Sequence, residues 1–294
     1  MATKNKIGQV ILNIIFILLC IAAVSPFLLL LSSSLTDEET LLRAGYNFIP
    51  AKFSLQSYEY LMGSAGKITG GYGITVFVTL VGTVAGMFMT IMFAYPLSRK
   101  ELPKRTFFSF FVFFTMLFNG GLVPTYMMWT QTFHVRNTLW ALIVPGLLMN
   151  GFNIIMMRSY FSANIPNELI EAARIDGAGE YRVLYQVVIP LSKPMIATIG
   201  LMIGLRYWND WTNSLYYITD EKLFSIQAIL TTIISNIQFL SSGQAAGSAY
   251  SAADLPSVGI RMAIAVIGIL PILFIYPFFQ KYFVKGIVVG GVKG

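Results

Sequence analysis

The sequence predicts an all-α membrane protein, a bundle of six transmembrane helices forming one domain over residues 1–294. Three observations carry this: few charges, apolar runs of membrane-spanning length along nearly the whole chain, and an uneven distribution of basic residues. Of the 294 residues, 56% are hydrophobic and 11% charged, against about 25% charged in an ordinary soluble domain. A soluble fold of this size would lack charge for its surface.

A bilayer core takes about 20 helical residues, and six segments qualify: 10–31, 74–97, 107–129, 138–158, 194–214 and 261–280. Each must be helical, because lipid offers no partner to an unpaired backbone amide. Pro96 and the polar stretch 98–104 bound the second, and Lys281 closes the sixth. The first follows Lys4 and Lys6 as a secretory signal would. Its apolar stretch is longer than a signal core and no clear small-x-small site follows, so it is expected to stay as a span.

Six spans place both termini on one side, and the basic residues select the cytoplasm. With the N-terminus inside, Lys4, Lys6, Arg99, Lys100, Lys104, Arg105, Arg158, Arg174, Arg182, Lys193, Lys281, Lys285 and Lys293 are cytoplasmic. Only Arg43, Lys52, Lys67, Arg136 and Lys222 lie outside, the asymmetry expected of an inserted protein. The net charge of +7 therefore reads as membrane-flanking charge, and no basic stripe for nucleic acid is present. Cys20 is the only cysteine, which excludes an intrachain disulfide and a cysteine metal cluster.

This topology leaves external segments at 32–73 and 215–260 and one internal loop at 159–193. The internal loop holds Glu168, Glu171, Arg174, Asp176, Glu180, Arg182 and Lys193, acidic and basic residues mixed in one segment. Asn167 after Pro166 is placed to cap a short helix, Gly177 to end it, and Pro190 to stop a second one. Small Ala172 and Ala173 would admit a close partner surface, with Glu171 and Arg174 offering complementary charge.

The stretch Glu171-Ala172-Ala173-Arg174-Ile175-Asp176-Gly177-Ala178, followed by Val187-Val188-Ile189-Pro190, resembles the cytoplasmic motif of importer permeases of the ATP-binding-cassette superfamily. Val187 and Ile189 are conservative departures from it. The tail 283–294 resembles that of maltose-type permease subunits of carbohydrate importers. The stretches 118–126 and Tyr207-Trp208-Asn209-Asp210-Trp211 resemble the branch serving polysaccharide fragments and complex oligosaccharides. The resemblance implies a type I importer architecture in a bacterial plasma membrane. It implies a loop that couples to a separate ATPase through Glu171, Ala172, Ala173, Arg174, Asp176, Gly177, Ala178 and Pro190. The implied partners are a second, homologous permease subunit, two ATPase subunits carrying ATP and Mg2+, and an external sugar-binding lipoprotein that delivers a carbohydrate.

The chain has no ATP engine of its own. The phosphate loop Gly-x-x-x-x-Gly-Lys-Ser/Thr is absent, and Leu61 stands where the first glycine would be before Gly66-Lys67. Leu240-Ser241-Ser242-Gly243-Gln244 looks like an ATPase signature, but on the external side and without that loop it reads as coincidence. His134 is the only histidine, in a short external loop, and no Gly-x-Ser-x-Gly or His-x-x-x-His pattern occurs. No catalytic, metal or cofactor site is expected.

For the translocation path, ionisable residues within spans face a partner or water. Arg206 and Asp210, four apart in the fifth span, share a face and are placed to pair. Asn209 and Asn213 lie on a neighbouring face beside Trp208 and Trp211, and amides, charges and aromatic faces suit a sugar. A structural ion pair within an interfacial aromatic belt explains the same residues. Asn119-Gly120-Gly121 and Pro124 should kink the third span beside the cavity. Asn150 and Asn153 in the fourth are further candidates, which helix-to-helix hydrogen bonding would equally explain. Gly82 with Gly86, and Gly200 with Gly204, read as close helix packing. In the second external segment, the apolar-periodic stretch 223–240 and the Gly/Ser/Ala-rich stretch 241–253 read either as a binding-protein contact, by resemblance, or as an interfacial helix and linker.

Overall fold

The structure is a computed structural model that describes residues 6–241 and 257–291. Most of the Gly/Ser/Ala-rich stretch, the ATPase-like pentapeptide after Ser241, and Lys4 and Lys293 lie outside the described residues. Within them the chain is helical, with one isolated β-bridge between Thr36 and Phe53 and no strand. Contacts divide it into two compact units, residues 1–66 with 230–272 and residues 67–229 with 273–294.

The first unit begins with α1 (Lys6–Ser34), whose apolar side chains stay exposed along nearly its whole length. That is the surface lipid or another subunit would cover. Short helices α2 (Glu38–Ala44) and α3 (Gln56–Met62) follow. Lys52 bridges Asp37 at 3.2 Å and holds its carboxyl below the usual range. Glu38 accepts the Val258 and Gly259 amides at 2.9 and 2.8 Å. It thereby satisfies two amides in the first turn of the last helix.

The second unit holds the candidate site residues. It contains α4 (Ala65–Ser98) from residue 67 onward, α5 (Arg105–Leu117), α6 (Leu122–Met127) with a π turn at Met128–Thr132, α7 (Trp140–Ile143) and α8 (Gly151–Asn164). Then come α9 (Asn167–Ile175) and α10 (Glu180–Val183), which passes through a π turn at Leu184–Val188 into α11 (Ile189–Leu191). It continues with α12 (Lys193–Trp208) and α13 (Thr212–Tyr217). The helix α14 (Ile226–Ser241) and the last helix α15 (Ser257–Gly291) each contribute residues to both units.

The core of the second unit brings together Val78, Ala94 and Tyr95 of α4, Met157 and Phe161 of α8, Ile170 of α9, Val183 of α10 and Ile199 and Ile203 of α12. Small residues set the α4–α12 approach. A Cβ on Gly82 would overlap the Tyr207 ring, and one on Gly86 would lie 3.3 Å from Ile203. Gly204 faces Thr83 in the same way. The expected glycine packing is found, and it operates within this chain.

Among the described residues, three helices are long and apolar enough to span a membrane on their own, at 8–34, 65–98 and 258–278, and two bent pairs raise this to five. The third expected span is broken between α5 and α6 with a bend of 110°. The fourth expected span, 138–158, is two helices, α7 and α8, separated by an unwound stretch. The fifth follows an 85° bend where α11 meets α12, just before its expected start, and its helix ends at Trp208, short of the expected 214. The turn at Asn209 and Asp210 terminates it although Trp, Leu and Tyr keep the sequence apolar beyond. The last helix runs past Lys281 to Gly291. A lysine ends an apolar run but not a helix, since its intrinsic helix propensity is high.

Candidate functional site

The internal loop folds as helix, turn, helix. Ile165, extended at φ −106° and ψ 113°, stops α8 before Pro166, as a residue preceding proline should. Pro166 then occupies the position before α9, and Asn167 is the first helical residue, without a side-chain cap bond. The expected Asn167 cap is thus displaced by the preceding proline.

At the other end Gly177 sits at φ +80°. The Gly177 amide donates to Arg174 O at 3.0 Å and the Ala178 amide to Ala173 O at 2.9 Å. These are the two bonds that close a helix on a left-handed residue, and they need glycine there. Pro190 lies in the last turn of the second helix, which ends one residue later.

Ile170, 2% exposed, anchors α9 to the core. Glu171, Ala172, Asp176 and Gly177 face outward, while Ala173, Arg174 and Ala178 are half-buried. Ile175 is 86% exposed, and Tyr181 and Tyr185 on the second helix are also open. The sequence reading passed over these three; an isoleucine and two tyrosines among the loop's charges were the available signal.

Arg174 turns inward. Its Nη2 lies 2.7 Å from Glu180 Oε1, with Nε donating to the same oxygen at 2.9 Å, and its Nη1 lies 3.5 Å from Glu101 Oε1. The hydrogen bond to Glu180 raises the affinity of Arg174 for its proton. A bond to its own backbone, with help from Arg174, holds the Glu101 carboxyl below the usual range. Tyr95 Oη donates to Glu180 Oε2 at 2.6 Å. The nearly buried Arg99 guanidinium lies 5.2 Å from the centre of the Tyr95 ring, its Nε donating to Ser98 Oγ at 2.9 Å. These groups border a cavity of about 410 Å³ between α4 and the second helix of the loop. Glu101 and Tyr95 carried no expectation, because only the fold brings them to Glu180.

The candidate path residues gather mainly about the end of α12. Arg206 and Asp210 do not pair, contrary to expectation, since the helix stops between them. Arg206 Nη2 donates to Gly146 O at 3.0 Å, Tyr207 Oη to Ile143 O at 2.8 Å and Asn213 Nδ2 to Pro145 O at 2.9 Å. Three side chains thus satisfy three carbonyls freed where α7 unwinds, a requirement at membrane depth. Asp210 faces the Thr212 and Asn213 amides at 3.3 and 3.4 Å, at the start of α13. Asn209 closes α12 by donating to Leu205 O at 2.8 Å.

Asn150 accepts the Asn153 amide at 3.1 Å, which caps α8. Asn153 and Trp208 are buried, whereas Asn119, Arg206, Asn209 and Trp211 are exposed. Asn119 stands apart in the third-span break, accepting the Gly121 amide at 2.9 Å. No group of three metal-ligating side chains occurs among the described residues.

Residues 82–289 match the family model described as the inner membrane component of binding-protein-dependent transport systems. Protein LplC of Bacillus subtilis strain 168 is 37% identical over 99% of this chain and 97% of its own length. The polygalacturonan/rhamnogalacturonan transport system permease protein YtcP of the same organism is 35% identical, covering 99% and 100%. Among solved structures, a bacterial ABC transporter that imports the acidic polysaccharide alginate matches with a TM-score of 0.77 and 28% identity, covering 96% of this chain and 99% of that one. With its helical membrane architecture, the chain belongs to the inner-membrane components of binding-protein-dependent transport systems.

Proposed function

We propose that this chain is one of two permease subunits of an importer for oligosaccharides cut from acidic polysaccharides, driven by a separate ATPase that docks on α9. The observation that carries the docking is the closed, glycine-terminated α9, seated by Ile170 and presenting Glu171, Ala172 and Ile175 outward. A nucleotide-driven partner gripping this surface would rock the spans between outward-open and inward-open states, and an external binding protein would hand over the sugar. ATP and Mg2+ belong to the ATPase. In this reading the chain has six spans with both termini inside, which would put α9 on the ATPase's side of the membrane. The open side chains Arg206, Asn209 and Trp211, with Asn119, line the path in this reading, while Asn150, Asn153, Trp208, Asp210 and Asn213 shape its wall. The acidic substrate class is supported by the likeness to YtcP and to the alginate importer, and the exposed Arg206 suits a uronate carboxylate.

The test is uptake of labelled oligogalacturonides by cells carrying either the wild-type chain or Glu171→Lys combined with Gly177→Asp. The wild type should accumulate the label, and the double variant should insert normally yet transport nothing, with ATP hydrolysis uncoupled. Normal uptake by the double variant sinks the docking assignment. Rejection of uronate oligomers in favour of neutral ones by the wild type sinks the substrate class alone.

A further inference from the structure

We propose that Tyr95, Glu180 and Arg174 are positioning residues that brace the coupling helix against α4, so that a push on α9 is delivered to the unwound stretch of the fourth span. The proposal rests on the docking of an ATPase at α9 argued above. The turn between α9 and α10 is tied to α9 by the two bonds that close the helix on Gly177, and beyond them only Gly179 connects it to α10, a link with little stiffness of its own. Without a brace, force on the exposed face of α9 would be taken up by rotation at that glycine.

The Arg174–Glu180 pair closes over that turn, and the second oxygen of Glu180 takes the Tyr95 hydroxyl from α4. One carboxylate therefore ties α9, α10 and α4 together, and Glu101 reinforces the tie from the loop after α4. Pairs this open to water add little to stability, so their consequence is geometric.

From Tyr95 the helix runs without a break to Gly82, about 20 Å at 1.5 Å per residue. There the Tyr207 ring packs where a Cβ would stand, and the Tyr207 hydroxyl holds Ile143 O. Contact is continuous from Arg174 to the unwound stretch, and every member lies in the same compact unit.

The experiment uses the assembled importer in nanodiscs, with hydrogen–deuterium exchange at residues 146–150 compared between the ADP-bound and the vanadate-trapped ATP-bound complex. The wild type should show a several-fold nucleotide-dependent change there. Tyr95→Phe and Glu180→Gln should keep the ATPase bound and its basal hydrolysis within about twofold, yet lose that change. Ile199→Val, which trims the core without touching the brace, should retain it. Persistence of the change in both brace variants overturns the proposal, and so does dissociation of the ATPase, which would make these residues part of the docking surface. A wild-type complex that binds no ATPase overturns the docking reading and the brace with it.

Discussion

The third and fourth expected spans are both interrupted, and the two interruptions are built in opposite ways. Between α5 and α6 the chain supports itself: Gly121 takes φ +83°, Asn119 accepts its amide, and residues 118–121 are exposed. Between α7 and α8 the backbone depends on others, with carbonyls 143, 145 and 146 each held by a side chain at least 60 residues away. A break whose polar groups are satisfied from elsewhere is locked to its neighbours. One closed by its own asparagine can be redirected without disturbing the core. The difference separates a break that shapes the bundle from one whose groups remain available at the surface.

Removing the borrowed donors should have the largest effect. Tyr207→Phe combined with Asn213→Ala strips partners from two buried carbonyls, each worth about 1–3 kcal/mol when left unsatisfied. The purified protein should unfold at a clearly lower temperature in detergent. Gly121→Ala should cost less, about 1–2 kcal/mol, because the strain is confined to one left-handed residue with open space around it. Asn119→Ala should cost least, about 0.5 kcal/mol, as expected for an exposed local side-chain bond. Thermal midpoints measured side by side rank the three. If either change in the third-span break matched the double change in the fourth, the contrast between self-supported and borrowed breaks would collapse.

Legibility in the sequence followed the range of the interactions. The helix α9 was readable because its signals are local: Pro166 sets its start, Gly177 its end, and charge makes the segment unsuited to a bilayer core. The third-span break was readable for the same reason, with Asn119, two glycines and Pro124 in one short stretch. The fourth-span break was not, although Pro145-Gly146 stands in the middle of it. The partners that make unwinding tolerable arrive from α12 and α13, and no spacing rule connects them to α7. The supposed Arg206–Asp210 pair failed because i and i+4 are neighbours only while the helix lasts, and Asn209 ends it. Arg174 had seemed to offer its charge outward. The fold gives that charge to Glu180 and Glu101 and leaves Ile175 and two tyrosines on the surface.

The Glu38 carboxylate has a consequence for biosynthesis. Its amide partners at Val258 and Gly259 are synthesised 220 and 221 residues later. At about 5–20 residues per second, the ribosome takes roughly 11–44 s to supply them. During that interval α1 and the segment after it are already made, while the other half of their compact unit does not yet exist. Pulse-labelled chains should therefore remain open to protease around residues 38–62 until translation passes α15, however early the first helix enters the bilayer.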